Sequence, residues 1–233
     1  MRASISLVLD PVTALLCGLA AGLVAFTIAS APITYFGAGT TVTSINNPQV
    51  LEPLRVPPVD YALFTEWFEG IFARISPLSA ILAFYILALD REYGYSLLTI
   101  VFGEGVLRYY TARILVSLIM YDLLILVGAS IGLALNDVMF LIHEPYTALT
   151  IILVILYIAT IQTLISFTIV ILVRRAILAL ITSITVLYTL AVTRLWVEVL
   201  PSRPETALIM FTLVIIATVL LTLLASRNLQ LRA

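Results

Sequence analysis

Apolar segments of about 20 residues recur along the whole 233-residue chain and constrain its fold more than any other feature. A helix that crosses about 30 Å of hydrocarbon needs roughly 20 mostly apolar residues. Six segments meet this requirement, at residues 12–31, 71–89, 109–135, 147–173, 176–193 and 206–226. The sequence therefore predicts an all-α polytopic membrane protein with six transmembrane helices, folded as a single domain over residues 1–233. With 62% hydrophobic and 11% charged residues, an ordinary soluble domain is excluded.

The arginines predict which loops face the cytoplasm, because short loops rich in Arg or Lys stay on that side. Eight arginines fall on the side that holds both termini: Arg2, Arg91, Arg108, Arg113, Arg174, Arg175, Arg227 and Arg232. Four fall on the other side: Arg55, Arg74, Arg194 and Arg203. We therefore expect a multi-pass protein of the cell membrane with both termini in the cytoplasm. The alternative for the first segment is a signal peptide cleaved after Ala31, which would leave five spans.

The residue types that are missing or rare exclude several functions. All 12 basic residues are arginine, so the chain cannot contain the G-x-x-x-x-G-K-[ST] loop of a P-loop ATPase or form a lysine Schiff base. Single His143 and Cys17 residues exclude an internal bis-histidine haem, a cysteine-ligated iron–sulfur cluster and a disulfide framework. A net charge of −1 provides no bulk basicity for nucleic acid. We expect no cofactor, no metal site and no enzymatic activity in this chain.

The longest connection, residues 32–70, is predicted to lie outside the cell and changes character midway. Its first half is polar and rich in proline, which favours turns and extended chain. Its second half places Leu63, Phe64, Trp67, Phe68, Ile71 and Phe72 at helical spacing, with Asp60, Glu66 and Glu69 between them. This pattern predicts an amphipathic helix in the outer membrane interface. The helix would set the entry angle of the second span or form a lid over an outward-opening cavity.

On the predicted cytoplasmic side, residues 90–108 form the one connection longer than a few residues. The segment begins with Asp90-Arg91-Glu92, continues through an apolar run too short to span a membrane, and breaks at Gly103 and Gly105. We expect it to lie along the membrane surface or to fold back into the helix bundle. Its paired charges would offer a rigid contact to a cytoplasmic partner. The alternative is an ordinary arginine-bearing loop with a surface helix.

This segment resembles the permease subunits of type-2 ATP-binding-cassette exporters. In that family an Arg-Glu-x-Gly motif, a leucine-rich helix, a proline-containing turn and a basic residue join the second span to the third. The matching positions here are Arg91, Glu92, Gly94, Leu97, Leu98, Gly103 at the proline position and Arg113 at the basic one. The departures are the missing proline, Tyr95 where a small Thr is common, and Glu104 in the turn. The motif covers about 24 residues, and the six-span layout extends the likeness over the chain.

The resemblance implies a transmembrane permease subunit of an ATP-driven ABC transporter, an exporter, coupled to a separate nucleotide-binding ATPase subunit. It implies a dimer with a second copy or a related permease, and coupling to the ATPase through Arg91, Glu92, Gly94 and Arg113. The alternative is a non-transporting membrane subunit that anchors or assembles a larger complex, for example a respiratory one. A secondary transporter is disfavoured because the two halves show no internal repeat or matching broken helices.

Two polar residues inside the predicted spans are further candidates. Asp122 is the one carboxylate within a span, where an ionised side chain is costly and suggests function. It holds the bundle together by bonding a hydroxyl of the fourth span, such as that of Thr160, Thr163 or Ser166, or it faces a pathway and binds a cation. Gln162, also in the fourth span, is a candidate for the pathway or for a buried polar contact.

Two G-x-x-x-G motifs predict close helix packing, because small residues let helix backbones approach each other in lipid. Gly18 and Gly22 form one in the first span, and Gly128 and Gly132 form the other in the third. In the family that the chain resembles, the first and fifth spans meet across the dimer axis. Gly18 and Gly22 are therefore candidates for self-association, with packing inside one subunit as the alternative.

Overall fold

The computed structural model describes residues 11–30, 65–89, 92, 106–136, 145–173, 175–193, 200–201 and 203–230. These residues form six α-helices: α1 Pro11–Ala29, α2 Thr65–Ala83, α3 Val106–Asn136, α4 Pro145–Leu172, α5 Ala176–Thr193 and α6 Pro204–Gln230. A π-helical turn, Phe84–Ala88, continues α2. Residues 32–64 lie outside the described residues, as does most of the predicted coupling segment 90–108.

Five helices in the described part of the chain are long and apolar enough to cross a membrane. They are Pro11–Ala29, Phe68–Ala88, Ala112–Asn136, Pro145–Leu172 and Ala176–Thr193. The predicted all-helical, multi-pass architecture is confirmed at this level. The apolar stretch found in α6, Glu205–Leu220, is shorter. The sixth span therefore stays a prediction.

Residues 65–72 of the predicted amphipathic surface helix form the first turns of α2. Phe68, Ile71 and Phe72 are buried, so this part of the predicted apolar face packs on other parts of the protein. Nothing between Thr65 and the π turn ends the helix, so its buried face runs without interruption into the span. Pro77 lies inside α2 and the helix continues through it.

The closest packing in the bundle is between α1 and α3, and it depends on the second glycine motif. A Cβ atom placed on Gly128 would overlap the backbone of Ala21. On Gly132 it would lie 2.9 Å from the Ala25 carbonyl oxygen. Near the end of both helices, Asn136 Nδ2 donates a hydrogen bond to the Ile28 carbonyl at 2.7 Å. The Gly128–Gly132 motif therefore packs helices within one subunit.

Arg74 holds α2 against the end of α1. Its Nη1 donates to Thr27 Oγ1 at 2.7 Å, and its Cζ lies 5.8 Å from the centre of the Phe26 ring. A guanidinium at this distance from a ring is within the range of cation–π attraction. The hydrogen bond and the cation–π contact together therefore fix the relative position of the two helices.

Helix α4 lies at the centre of the bundle, where it contacts α2, α3, α5 and α6. Helix α5 is peripheral: it buries one narrow stripe and leaves much of its surface exposed. That stripe consists of Ala176, Ala179, Ser183 and Leu187.

Candidate functional site

Glu92, within the predicted coupling segment, contacts the start of α5. Its Oε1 accepts a hydrogen bond from the backbone N–H of Ala176 at 2.9 Å. Ala176 is the first residue of α5, where the N–H has no carbonyl partner inside the helix. A carboxylate there also interacts favourably with the positive end of the helix dipole. Glu92 therefore caps α5 from a position 84 residues earlier in the chain.

The π-helical turn determines how the chain leaves α2 on its way to Glu92. The N–H of Leu89 donates to the carbonyl of Phe84, five residues earlier, in place of the four-residue spacing of an α-helix. Leu89 itself returns to α-helical angles, with φ −64° and ψ −42°. Such turns are rare and occur frequently at functional sites. This one forms the last turn of the span Phe68–Ala88, just before the segment that holds the α5 cap.

The other predicted coupling residues divide into two groups. Arg91 and Gly94 lie outside the described residues. Arg113 lies early in α3 and is buried, with 7% of its surface exposed. Direct contact with a separate protein needs an exposed side chain. We therefore expect the buried Arg113 guanidinium to make its contacts inside the bundle.

Asp122 bonds a hydroxyl of α4, and the partner is one of those predicted from the sequence. Thr160 Oγ1 lies 3.1 Å from Asp122 Oδ1 and 2.7 Å from the Leu156 carbonyl oxygen. A threonine hydroxyl carries one proton, so it donates fully to one of these two acceptors at a time. Thr163 donates to the carbonyl of Ala159 in its own helix at 2.8 Å. Asp122 thus links α3 to α4.

A neighbouring contact, between Tyr121 and Ser79, was not predicted from the sequence. The Tyr121 hydroxyl and Ser79 Oγ lie 2.9 Å apart, and both residues are buried. Tyr121 reaches α2 while the next residue, Asp122, reaches α4. The available signal was a tyrosine in the middle of a span, since tyrosines of membrane helices concentrate near the interfaces.

Gln162 binds α4 to α2 next to Pro77. Its Nε2 donates to the Phe72 carbonyl and to Ser76 Oγ, both at 3.0 Å. Ser76 also donates to the Phe72 carbonyl. Proline inside a membrane helix is tolerated where neighbouring helices and hydroxyl side chains supply polar partners to the disturbed backbone. Pro77 cannot donate to the carbonyl of Ala73, four residues earlier. Gln162 and Ser76 bond the neighbouring carbonyl of Phe72.

Gly18 and Gly22 lie on an exposed stripe of α1, next to the residues that contact α3. Among the described residues, nothing lies within 4 Å of a Cβ atom built on either glycine. Together with Leu15, Leu19 and Leu23 they line an open groove of about 380 Å³. The two glycine motifs therefore differ: one packs within the subunit and the other is left open.

Comparison of the chain with known protein families, curated proteins and solved structures finds no match. Within the described residues, no group of three His, Cys, Asp or Glu side chains is arranged to hold a metal ion. The likeness to type-2 permeases therefore rests on the 91–113 motif and the order of the apolar segments.

Proposed function

We propose that the chain is the membrane-spanning permease subunit of an ATP-driven ABC exporter, working as a dimer with a separate nucleotide-binding ATPase subunit. The hydrogen bond between Glu92 and Ala176 is the observation that carries this proposal. It joins the segment that resembles the ATPase-contacting region of type-2 permeases directly to a membrane helix. A displacement of that segment would therefore move α5 directly, without first moving α3 and α4.

In the proposed mechanism, the ATPase subunits close on ATP and push the 90–108 segment. Arg91 makes the contact with the ATPase, and Glu92 transmits the movement to the start of α5. The π turn Phe84–Ala88 absorbs the change in direction between α2 and the moving segment. Tilting of the spans then converts an inward-facing site into an outward-facing one. Arg113, being enclosed, positions α3 during this change and has no direct ATPase contact.

The proposed orientation places the Glu92 end of the bundle in the cytoplasm. Arg113 lies towards that end, and the junction between α4 and α5 carries Arg174 and Arg175 in the sequence. Arginines concentrate on the cytoplasmic side of short connections. The ATP-binding partner would therefore meet the same end of the bundle that holds the α5 cap.

The proposed dimer uses the open groove around Gly18 and Gly22. Glycines in such a groove let a second helix approach closely, and the flanking leucines supply van der Waals contact. The matching motif on α3 is already occupied within the subunit. The groove on α1 is therefore the better candidate for contact with a second permease copy.

Purification of the tagged protein in mild detergent, followed by mass spectrometry of the bound proteins, tests the function. We expect a stoichiometric P-loop ATPase in the complex and ATP-dependent transport after reconstitution. Recovery of haem- or quinone-binding subunits would contradict the proposal and favour the membrane-anchor alternative. Recovery of the chain without any ATPase would also contradict it.

A further inference from the structure

Three buried side-chain oxygen atoms lie in the interior of the α2, α4 and α5 group. They are Gln162 Oε1, Ser166 Oγ and Ser183 Oγ, and none of the three side chains is exposed. No hydrogen-bond partner for these atoms is found among the described residues. A buried polar atom without a partner is uncommon because its desolvation is not compensated. Three such atoms in neighbouring helices therefore need an explanation.

The two serines differ from most threonines of their helices. In α4 the hydroxyls of Thr150, Thr160, Thr163 and Thr168 all donate to the carbonyl four residues earlier. In α5 those of Thr185, Thr189 and Thr193 do the same. This bond is open to any serine or threonine in a helix. Ser166 and Ser183 do not make it, so their hydroxyls are turned away from their own backbone.

Chain geometry places the two serines at a similar depth and Gln162 one helical turn further from the junction of α4 and α5. Ser166 lies six residues before the end of α4 and Ser183 seven residues after the start of α5, which is about 9 Å and 10 Å of helix rise. The two helices run antiparallel from a short junction and contact each other. Gln162 lies one turn from Ser166 on the same side of α4, and its amide points towards α2. Helix α2 also contacts α5. The three oxygens therefore belong to helices that pack against one another.

We propose that Gln162, Ser166 and Ser183 form a binding site within the membrane for a neutral hydroxyl group. The three oxygen atoms determine which groups a ligand must offer. Gln162 Nε2 is occupied by Phe72 and Ser76, so its Oε1 needs a hydrogen-bond donor from the ligand. Either serine can donate or accept. The hydroxyl belongs to an enclosed water molecule or to a polyol-like solute that enters from water.

Asp122 is not part of this site. It bonds Thr160, which lies two residues before Gln162 and therefore on nearly the opposite side of α4. The site is thus uncharged, which suits a neutral ligand in a low-dielectric environment. The inference is independent of the proposed function, because a bound hydroxyl is expected whether or not the chain has an ATPase partner.

Alanine substitutions of the two serines test the site in the full-length purified protein. We expect Ser166→Ala and Ser183→Ala each to lower the midpoint of thermal unfolding by about 2–4 °C. The double variant should lower the midpoint by clearly less than the sum of the two single effects, because both serines bind the same hydroxyl group. Ser130→Ala is the control: Ser130 Oγ donates to the Leu126 carbonyl at 2.8 Å, so its loss should change the midpoint little. Midpoints that rise, stay unchanged or add independently would overturn the proposal.

Cysteine labelling distinguishes the two sources of the hydroxyl. Cys17 is the single native cysteine and is buried, so Cys17→Ala provides a background without thiols. Ser166→Cys and Ser183→Cys in this background are then treated with the water-soluble probe aminoethyl methanethiosulfonate in lipid nanodiscs. If the effects of the two serine variants on the midpoint are non-additive, rapid labelling of the cysteines supports a site that is open to solutes. Protection of the cysteines from labelling then supports the same site holding an enclosed water molecule. Additive variants overturn the site whatever the labelling.

Discussion

Single polar side chains make specific contacts between the apolar helices of this bundle. The Asp122 carboxyl meets Thr160 across the α3–α4 contact, and the hydroxyl of Tyr121 meets Ser79 across the α2–α3 contact. In lipid, helix association gains little from the hydrophobic effect, so hydrogen bonds and close packing determine which faces meet. Adjacent residues of α3 thus fix its rotation relative to two neighbours.

Removing the Thr160 hydroxyl should weaken the bundle more than removing that of Thr163. We expect Thr160→Val to destabilise by about 1–3 kcal/mol, because it leaves the buried Asp122 carboxyl without this partner. Thr160→Ser should retain most of the stability. Denaturant or thermal unfolding in detergent measures the difference. Thr163→Val is the matched control, since the Thr163 hydroxyl donates to a carbonyl of its own helix. Equal losses would contradict the assigned role of Asp122.

Asp122→Asn separates the hydrogen bond from the charge. An asparagine amide can donate to the Thr160 oxygen while that hydroxyl donates to the Leu156 carbonyl. If Asp122 has a structural role, we expect the variant to keep its fold, its stability and the assembly with any partner. Loss of transport in a stably folded Asp122→Asn protein would instead favour the cation-pathway interpretation. Unfolding and reconstituted transport, measured on the same preparation, separate the two.

At the level of single residues, the sequence identified Asp122 and Gln162 as unusual but left their partners open. A polar residue in an apolar span is visible without a structure. Its partner depends on the rotation and depth of two helices that lie far apart in the chain. Thr160, Thr163 and Ser166 were equivalent candidates on composition, and only the packing of α3 against α4 selects Thr160. Tyr121 was missed because its ring is compatible with an ordinary core position.

At the level of elements, the start of α5 depends on a side chain from the chain segment after α2. A helix begins with N–H groups that lack partners within the helix, and Glu92 provides an acceptor for the first of them. Capping by an acidic side chain contributes on the order of 1 kcal/mol. The contact is small in energy, but it joins two elements that the proposed mechanism requires to move together.

The capping bond can be removed from either side, which gives a double-mutant test. Glu92→Ala removes the acceptor, and Ala176→Pro removes the donor at a position where proline is well tolerated. We expect each to uncouple ATP hydrolysis from transport to a similar degree, and the double variant to add little. Glu92→Gln keeps an acceptor oxygen but loses the charge, so its effect should be intermediate. Fully additive losses would show that Glu92 acts through a different contact.

The contact between α1 and α3 should tolerate no side chain at Gly128. We expect Gly128→Ala to destabilise by about 1–3 kcal/mol, because its Cβ would meet the backbone of Ala21, which cannot move aside easily. Gly18→Ala is the control, since the structure leaves space at that position; its effect should stay within about 1 kcal/mol. Thermal unfolding of the two variants provides the comparison. Equal stability of both would contradict the close approach of the two helices.

The sequence predicted the helices better than their contacts. Segment length and hydropathy located α1 to α5 because crossing a bilayer imposes a minimum apolar length. The helical pattern around Phe68 and Phe72 was recognised, but an amphipathic face looks the same whether it meets lipid headgroups or other helices. The two glycine motifs also share one spacing, so the sequence alone did not show that Gly128 packs internally and Gly18 does not.

At the level of the whole molecule, α1 has two faces with different uses. One face packs tightly on α3, and the other presents the groove around Gly18 and Gly22. In a monomer this second face would meet lipid chains. In the proposed dimer it would meet a helix of the second permease copy, so changes in the groove should alter assembly without disturbing the subunit fold.

Filling the groove tests this separation. We expect Gly18→Leu to reduce the dimer fraction at least several-fold while the unfolding midpoint of the subunit changes little, because a bulky side chain keeps a second helix away. Light scattering and cross-linking in detergent measure the assembly. Thr212→Leu, at an exposed position of α6, is the control and should leave the dimer fraction unchanged. An unchanged dimer in Gly18→Leu would exclude the groove as the interface.

The π turn after α2 makes the number of residues in this part of the chain as important as their identity. Leu89 pairs with Phe84 because the turn holds one residue more than an α-helical turn. If all residues of Phe84–Ala88 adopted ordinary α-helical spacing, the residues after the turn would rotate by about 100°. Glu92 would then leave the start of α5. The extra residue of the π turn therefore keeps the cap in register with the helix that it caps, and deleting one residue from the turn should disturb the cap less than straightening the turn at full length.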